Sequence, residues 1–307
     1  MDIIDKRHGI SMRKYYVDNI RWIVILLLVP YHAAMAWNVW GEPNYIYFES
    51  NKIISSIVVF FSPYFMPLMF FIAGISTRFA LQKRTIRQYV LERAKKLLIP
   101  FIFGTVLILF LFSLIAVGII LLQRKIMHLK EIAIPFVLIF LWGLPLPFFS
   151  GVLSIGGKSL VEYTYIFLVG YYIFSNDDVI NEVEKWKWIF LCIGIAATIF
   201  NVYMFIWSDT QQTLLNTVAK YASEWFMVSS MLGIGKGYLN FNGKISKFMS
   251  KRSYTFYIFH FIWVVLFQYL LFHVCNGNII LLYVLPVFFA YGAALLCCEV
   301  CNRVSLK

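Results

Sequence analysis

A chain of 307 residues that is 61% hydrophobic and only 14% charged lies outside the composition of soluble domains and belongs in a lipid bilayer. Its net charge of +12 does not mark a nucleic-acid binder, because 17 of the 27 Lys and Arg fall before residue 22, in 78–96 and in 236–252. That clustering at the ends of apolar stretches follows the positive-inside rule.

Nine apolar stretches of span length recur, at about 22–40, 53–77, 97–122, 132–150, 159–176, 188–207, 213–235, 254–274 and 279–298. Short loops join them and no low-complexity linker separates them, so residues 1–307 read as a single membrane domain with no separate soluble domain. The predicted fold class is all-α, a polytopic integral membrane bundle of about nine to ten transmembrane helices.

The first stretch, "DNIRWIVILLLVPYH" over 18–32, carries ionisable residues in an otherwise apolar run. Eleven helical steps return nearly to the starting face, so Arg21 and His32 point the same way, roughly 16 Å apart along the axis. Asp18, three residues before Arg21, falls near that face. An ionisable residue at this depth faces the protein interior or a wet cavity. The basic start and the "HAAMA" that follows outline a signal peptide, but the long charged start and His32 within the apolar run favour a retained span.

Charge orients the stretches: 1–21, 78–96, 177–187, 236–252 and 302–307 read as cytoplasmic, and 41–52, 208–212 and 275–278 as external. The segment 123–131, "QRKIMHLKE", also reads as internal. Only the stretch 97–122 separates it from the internal segment 78–96, and one span cannot begin and end on the same side. Either 97–122 is broken and re-enters, with Pro100, Gly104 and Gly118 as candidate break points, or 123–131 departs from the rule and one later stretch does not cross. An even number of crossings is expected, ten or eight with one re-entrant piece.

Farther along, "QKRTIRQYVLERAKKLLI" (82–99) reads as a basic amphipathic helix at the cytoplasmic interface. It serves either as a topological anchor or as a seat for a phosphorylated ligand. Glu162, Lys220 and Glu224 are charges within spans, and Glu224, among uncharged neighbours, is the stronger cavity candidate. "KRSYTFYIFHF" puts Ser253, Tyr257 and His260 on one face, giving a second intramembrane histidine. The five cysteines, Cys297, Cys298 and Cys301 among them, imply neither a disulfide framework nor a metal site. No HExxH, P-loop or GxSxG motif occurs, so nucleotide hydrolysis is not expected.

Several of these segments together resemble the acyltransferase 3 family of membrane O-acyltransferases. Arg21 and His32 match its arginine, ten residues, histidine pattern. "FMPLMFFIAGIS" (65–76) is similar to its second-span segment, with Ala73 where Ser is usual. "YVLERAKKLLIPFIFG" (89–104) resembles its basic pair at Arg93 and Lys96, with Lys96 in place of the commoner Arg. "SYTFYIFHF" (253–261) resembles its Ser-Tyr, Tyr, His ending. The wording is nearest to the branch of glucan-modifying succinyltransferases.

The resemblance implies O-acylation of a carbohydrate: cytoplasmic acyl-CoA, acetyl-CoA or succinyl-CoA, donates its acyl group to a hydroxyl of a surface or exported glycan. His32, His260 and Glu224 are the implied catalytic residues, Arg21, Arg93 and Lys96 hold the donor, and Asp18, Ser253 and Tyr257 support them. No bound cofactor or metal is expected, and no nucleic acid. The setting is the bacterial inner membrane, with both termini cytoplasmic and polysaccharide synthesis or export proteins as partners. Histidine chemistry fits, since acyl transfer to a hydroxyl needs a base of near-neutral pKa. Composition alone puts transport first, by a glycan or lipid-linked glycan flippase or exporter, and a third reading is a scaffold in which Arg21 and His32 only stabilise packing.

Overall fold

The computed structural model describes residues 14–42, 46–93, 139, 141–149, 151–155, 158–208, 214–272, 274–275 and 278–305. Lipid supplies no hydrogen-bond partners to a backbone, so a chain this apolar satisfies its amides within helices. Among the described residues the principal helices are seven: α1 (Tyr15–Ala34), α2 (Lys52–Lys83), α3 (Leu160–Tyr172), α4 (Asp177–Val202), α5 (Leu214–Tyr238), α6 (Lys244–Phe272) and α7 (Ile279–Ser305). A short helical segment at 86–93 follows α2, and a two-residue antiparallel pair, β1 (Ser154–Ile155) with β2 (Lys158–Ser159), precedes α3.

Local chemistry sets the starts. Asn51 accepts hydrogen bonds from the amides of Ile53 and Ile54 at the head of α2, and Asn176 caps α4 through the Asp178 amide, with Asp177 and Asp178 favourably placed at the positive end of the helix. α4 ends in a wider turn over Tyr203–Trp207.

Five stretches, Tyr15–Trp37, Lys52–Gln82, Asp177–Trp207, Lys244–Phe272 and Ile279–Arg303, are long and apolar enough to cross a bilayer. The architecture is that of an all-α polytopic membrane protein. The predicted nine to ten crossings are only partly accounted for among the described residues. α5 packs antiparallel along α4, with Gly194 against Met227 and Gly233 against Val183, but carries Lys220, Glu224 and Lys236, which lower its hydropathy. The stretch predicted at 159–176 is corrected: α3 has 13 residues, about 20 Å, too short to span. Before it, 141–149 forms turns rather than the end of a predicted span. The stretch 97–122 lies outside the described residues. α4 and α6 start at Asp177 and Lys244, some ten residues ahead of their apolar runs, because a helix continues into the interface after hydropathy ceases to mark it.

Directions follow from contacts. Lys14 pairs with Asp177, Lys236 with Glu184 at 3.5 Å and Arg252 with Glu299 at 2.8 Å, and the Arg78 guanidinium donates to the Tyr172 carbonyl at 3.4 Å. All lie at one end of the bundle, the basic end. At the other, Trp37 packs on Phe48 with centroids 5.0 Å apart, Phe48 stacks on Phe272 at 5.3 Å, and Trp207 Nε1 donates to Ser56 Oγ at 3.0 Å. The described parts of the segments predicted to share a side therefore do share an end.

α3 runs parallel to α2 with their backbones touching. A Cβ at Gly74 would collide with the Phe167 carbonyl, and one at Gly170 with the Phe71 backbone, so only glycine permits this approach. A second core, built on Ile25, Val29, Ala33, Phe256, Val264, Ala290 and Ala294, joins α1, α6 and α7. Asn19 locks the basic end of α1. Its Nδ2 donates to the carbonyls of Leu239 (2.6 Å) and Phe241 (2.8 Å), and its Oδ1 accepts from Trp22 Nε1 (2.9 Å) and Ser246 Oγ (2.5 Å).

Candidate functional site

Two histidines separated by most of the chain meet in the bundle. His32 on α1 and His260 on α6 have ring centroids 5.2 Å apart, inclined at 40°. Phe261 presents its edge to His32 at 5.2 Å, and Tyr31 does so at 5.3 Å. His32 is half-buried, and His260 is 3% exposed. His260 Nδ1 lies 2.6 Å from the Tyr257 carbonyl. A carbonyl can only accept, so Nδ1 carries the proton and the neutral ring presents Nε2 as a lone pair. Among the described residues Nε2 has no hydrogen-bond partner.

The reach of α1 to His260 depends on Pro30. Proline has no amide hydrogen, so the carbonyl four residues back, Leu26, loses its helical donor. The Tyr291 hydroxyl supplies a replacement at 2.7 Å. Tyr283 OH donates to the Pro30 carbonyl at 3.2 Å, and the buried Gln268 Nε2 donates to the Ala33 carbonyl at 2.9 Å. Side chains of α6 and α7 thus hold the helical turn that carries His32. Sequence reasoning missed these three residues. The proline two positions before the histidine was the available signal, since a missing amide requires a substitute donor.

Arg21 sits below His32, toward the basic end. Its guanidinium donates to Asp18 Oδ1 at 3.2 Å and to Ser76 Oγ at 2.6 Å. Asp18, which helical spacing puts near the Arg21 face, pairs with it, and Ser76 of the 65–76 segment is an unanticipated third member. Arg93 lies over the Tyr89 ring, 5.2 Å from its centroid, and within electrostatic reach of Tyr254 on α6. Tyr89 is itself tied to Thr77 Oγ1 at 2.7 Å, so Arg93 borders the basic end of the same bundle. Lys96 lies outside the described residues.

Not every expected member gathers here. Ser253 spends its hydroxyl on its own helix, donating to the Ser250 carbonyl at 3.2 Å. Tyr257 acts on His260 through its backbone carbonyl, with its ring 5.6 Å away. Glu224, an implied catalytic residue, makes no hydrogen bond to either histidine. Both its oxygens are buried without a partner among the described residues, and its charged neighbours are Glu162 and Lys220. Glu162, also buried, accepts from Tyr221 OH at 2.9 Å. Sequence could flag each carboxylate but not their proximity, which is set by α3 and α5 both packing on α2 and by the Tyr221–Glu162 hydrogen bond. Among the described residues no three metal-ligating side chains converge.

Residues 14–122 match the acyltransferase domain of the acyltransferase 3 family, roughly a third of the chain. Arg21, His32, Ser76, Arg93 and Lys96 lie inside that match, and His260 lies beyond it. Comparison with curated proteins and with solved structures gives no match.

Proposed function

We propose that this protein is an integral membrane O-acyltransferase that moves an acetyl or succinyl group from cytoplasmic acyl-CoA to a hydroxyl of a surface or exported glycan. The observation that carries the reading is the meeting of His32 and His260 at mid-depth, one helical face above an arginine, with the first histidine inside an acyltransferase domain. Ionisable side chains are costly inside an apolar bundle, so two facing imidazoles mark a functional site by default.

In this reading the basic end faces the cytoplasm. Arg93 and Lys96 hold the phosphates of the donor, and Arg21, fixed by Asp18 and Ser76, directs the acyl thioester toward the histidines. The acceptor oxygen attacks the thioester carbonyl carbon while His32 takes the hydroxyl proton. His260, its Nε2 kept as an acceptor by the Tyr257 carbonyl, receives the hydrogen bond of protonated His32 and orients it. The carbon–sulfur bond then breaks, the proton passes to the departing thiolate, and the products are the glycan ester and free CoA. The site lies in the plasma membrane of a bacterium in this account, with glycan synthesis or export proteins delivering the acceptor.

The test is transfer of label from radioactive acetyl-CoA or succinyl-CoA to envelope glycan, in membranes holding equal amounts of wild type, His32→Ala or Arg93→Ala. Label that enters glycan with wild type, is lost with His32→Ala, and with Arg93→Ala is recovered only at raised donor concentration supports the reading and names the donor. Wild-type membranes that transfer neither acyl group overturn it and leave glycan transport as the function to pursue.

A further inference from the structure

The acyl-transfer reading leaves a second polar cluster unused, on the two helices α3 and α5 that pack on α2. Its centre is the pair of buried carboxylates on α3 and α5. Glu162, 6% exposed, stands in the first turn of α3, where the helix end favours negative charge, and it accepts the Tyr221 hydroxyl. Glu224, 1% exposed, has no such support: neither oxygen finds a donor among the described residues. A buried carboxylate inside a membrane bundle is costly unless hydrogen-bond donors reach its oxygens.

Position links this cluster to the histidines. Tyr163 lies within electrostatic reach of Glu162, Glu224, Tyr221 and Tyr31, and Tyr31 is the neighbour of His32. On α2, Phe70 faces Tyr163 at 4.7 Å and Phe65 faces Tyr31 at 5.8 Å, an offset of five residues or about 8 Å. Above Glu162 the chain is not helical. Tyr165 OH donates to the Trp142 carbonyl at 2.7 Å, and Gly143 lies against the Trp225 ring. Irregular backbone at this depth occurs where it is buried in protein or lines a wet cavity.

We infer that Glu162 and Glu224, flanked by Tyr163 and Tyr221, form the subsite that binds the carbohydrate acceptor and presents its hydroxyl to His32. The inference rests on the acyl-transfer reading. Carboxylates beside aromatic rings suit a polyol, whose adjacent hydroxyls donate to the oxygens while its carbon–hydrogen face packs on the rings. A metal ion fits less well: two carboxylates fall short of the six or more oxygens a hard cation takes, and Lys220, its ammonium 4.5 Å from the Tyr221 centroid, already brings positive charge close by. A neutral polyol supplies donors without adding charge.

The experiment measures acyl transfer by the full chain in membranes, varying solubilised envelope glycan at fixed acyl-CoA and then the reverse, for wild type, Glu162→Gln, Glu224→Gln, Glu224→Leu and Tyr221→Phe. The expected result is a KM for glycan raised about 10- to 100-fold by each glutamine variant, the size of a lost charge-assisted hydrogen bond, with the KM for acyl-CoA unchanged. Glu224→Leu is expected to be at least as impaired as Glu224→Gln, and Tyr221→Phe to show a smaller rise in the same direction. A glycan KM that stays at the wild-type value, or full activity in Glu224→Leu, overturns the subsite while leaving acyl transfer standing. Loss of kcat with both KM values unchanged, in Tyr221→Phe as well, marks the cluster as structural and overturns it too. Wild-type membranes that transfer no label overturn the acyl-transfer reading and the subsite with it.

Discussion

The two polar clusters of the bundle are built on opposite plans. Around the histidines, most buried groups are held by a neighbour: the Leu26, Pro30 and Ala33 carbonyls by Tyr291, Tyr283 and Gln268, His260 Nδ1 by Tyr257, and Arg21 by Asp18 and Ser76. Around the carboxylates, Glu162 is held, and Glu224 has no hydrogen-bond partner among the described residues. The first arrangement fixes geometry, which proton transfer needs. The second retains hydrogen-bonding capacity, which a bound ligand can use. A protein that catalyses with one cluster and recognises with the other is expected to respond differently to the same kind of substitution in each.

The largest effect expected is at the base. His32→Ala, and equally His32→Gln, should lower transfer by about 10²- to 10⁴-fold, while variants of Glu224 act through the KM for glycan. Steady-state kinetics at equal protein levels checks this, and a glutamine variant that retains activity would reduce His32 to packing.

A sharper test concerns the proline turn. Tyr291→Phe strands the Leu26 carbonyl and should cost about 1–3 kcal/mol, read as a lower unfolding midpoint in detergent and a reduced kcat. Pro30→Ala restores an amide to that carbonyl, so Tyr291→Phe should be nearly silent in the Pro30→Ala background. Equal costs in both backgrounds would show that the hydroxyl does not serve the proline break.

Ser76→Ala should be milder. It removes one of two fixed partners of Arg21, and a rise of several-fold in the KM for acyl-CoA with the glycan KM unchanged is expected. The smallest effect belongs to the exposed Lys14–Asp177 pair. Asp177→Asn should shift stability by no more than about 1 kcal/mol, and less at high salt.

Much of the histidine cluster could be read from sequence because its logic is local. Helical periodicity alone puts Asp18, Arg21 and His32 on one face, and apolar runs locate the helices that carry them. The meeting with His260 is not local, but a second intramembrane histidine, an expensive residue in a span, was legible on its own helix. The carboxylate cluster was harder. Glu224 and Glu162 were visible as charges, yet hydropathy extended α3 into a full span. Its start was legible, because Ser159, whose Oγ accepts from the Glu162 amide at 3.2 Å, opens the serine, two residues, glutamate pattern of a helix start; its end at Tyr172, four residues before the apolar run stops, was not. Contacts such as Arg21 with Ser76, or Gly74 against the Phe167 carbonyl, depend on how helices dock and leave little trace in either segment.

The central claim is that His32 and His260 act as one unit, and a double-mutant cycle on acyl transfer tests it most directly. If they share the proton, His32→Ala and His260→Ala each disable the reaction, and the double variant is within a few-fold of the slower single variant. Losses that multiply, so that the double variant falls by the product of the two single effects, would contradict the account.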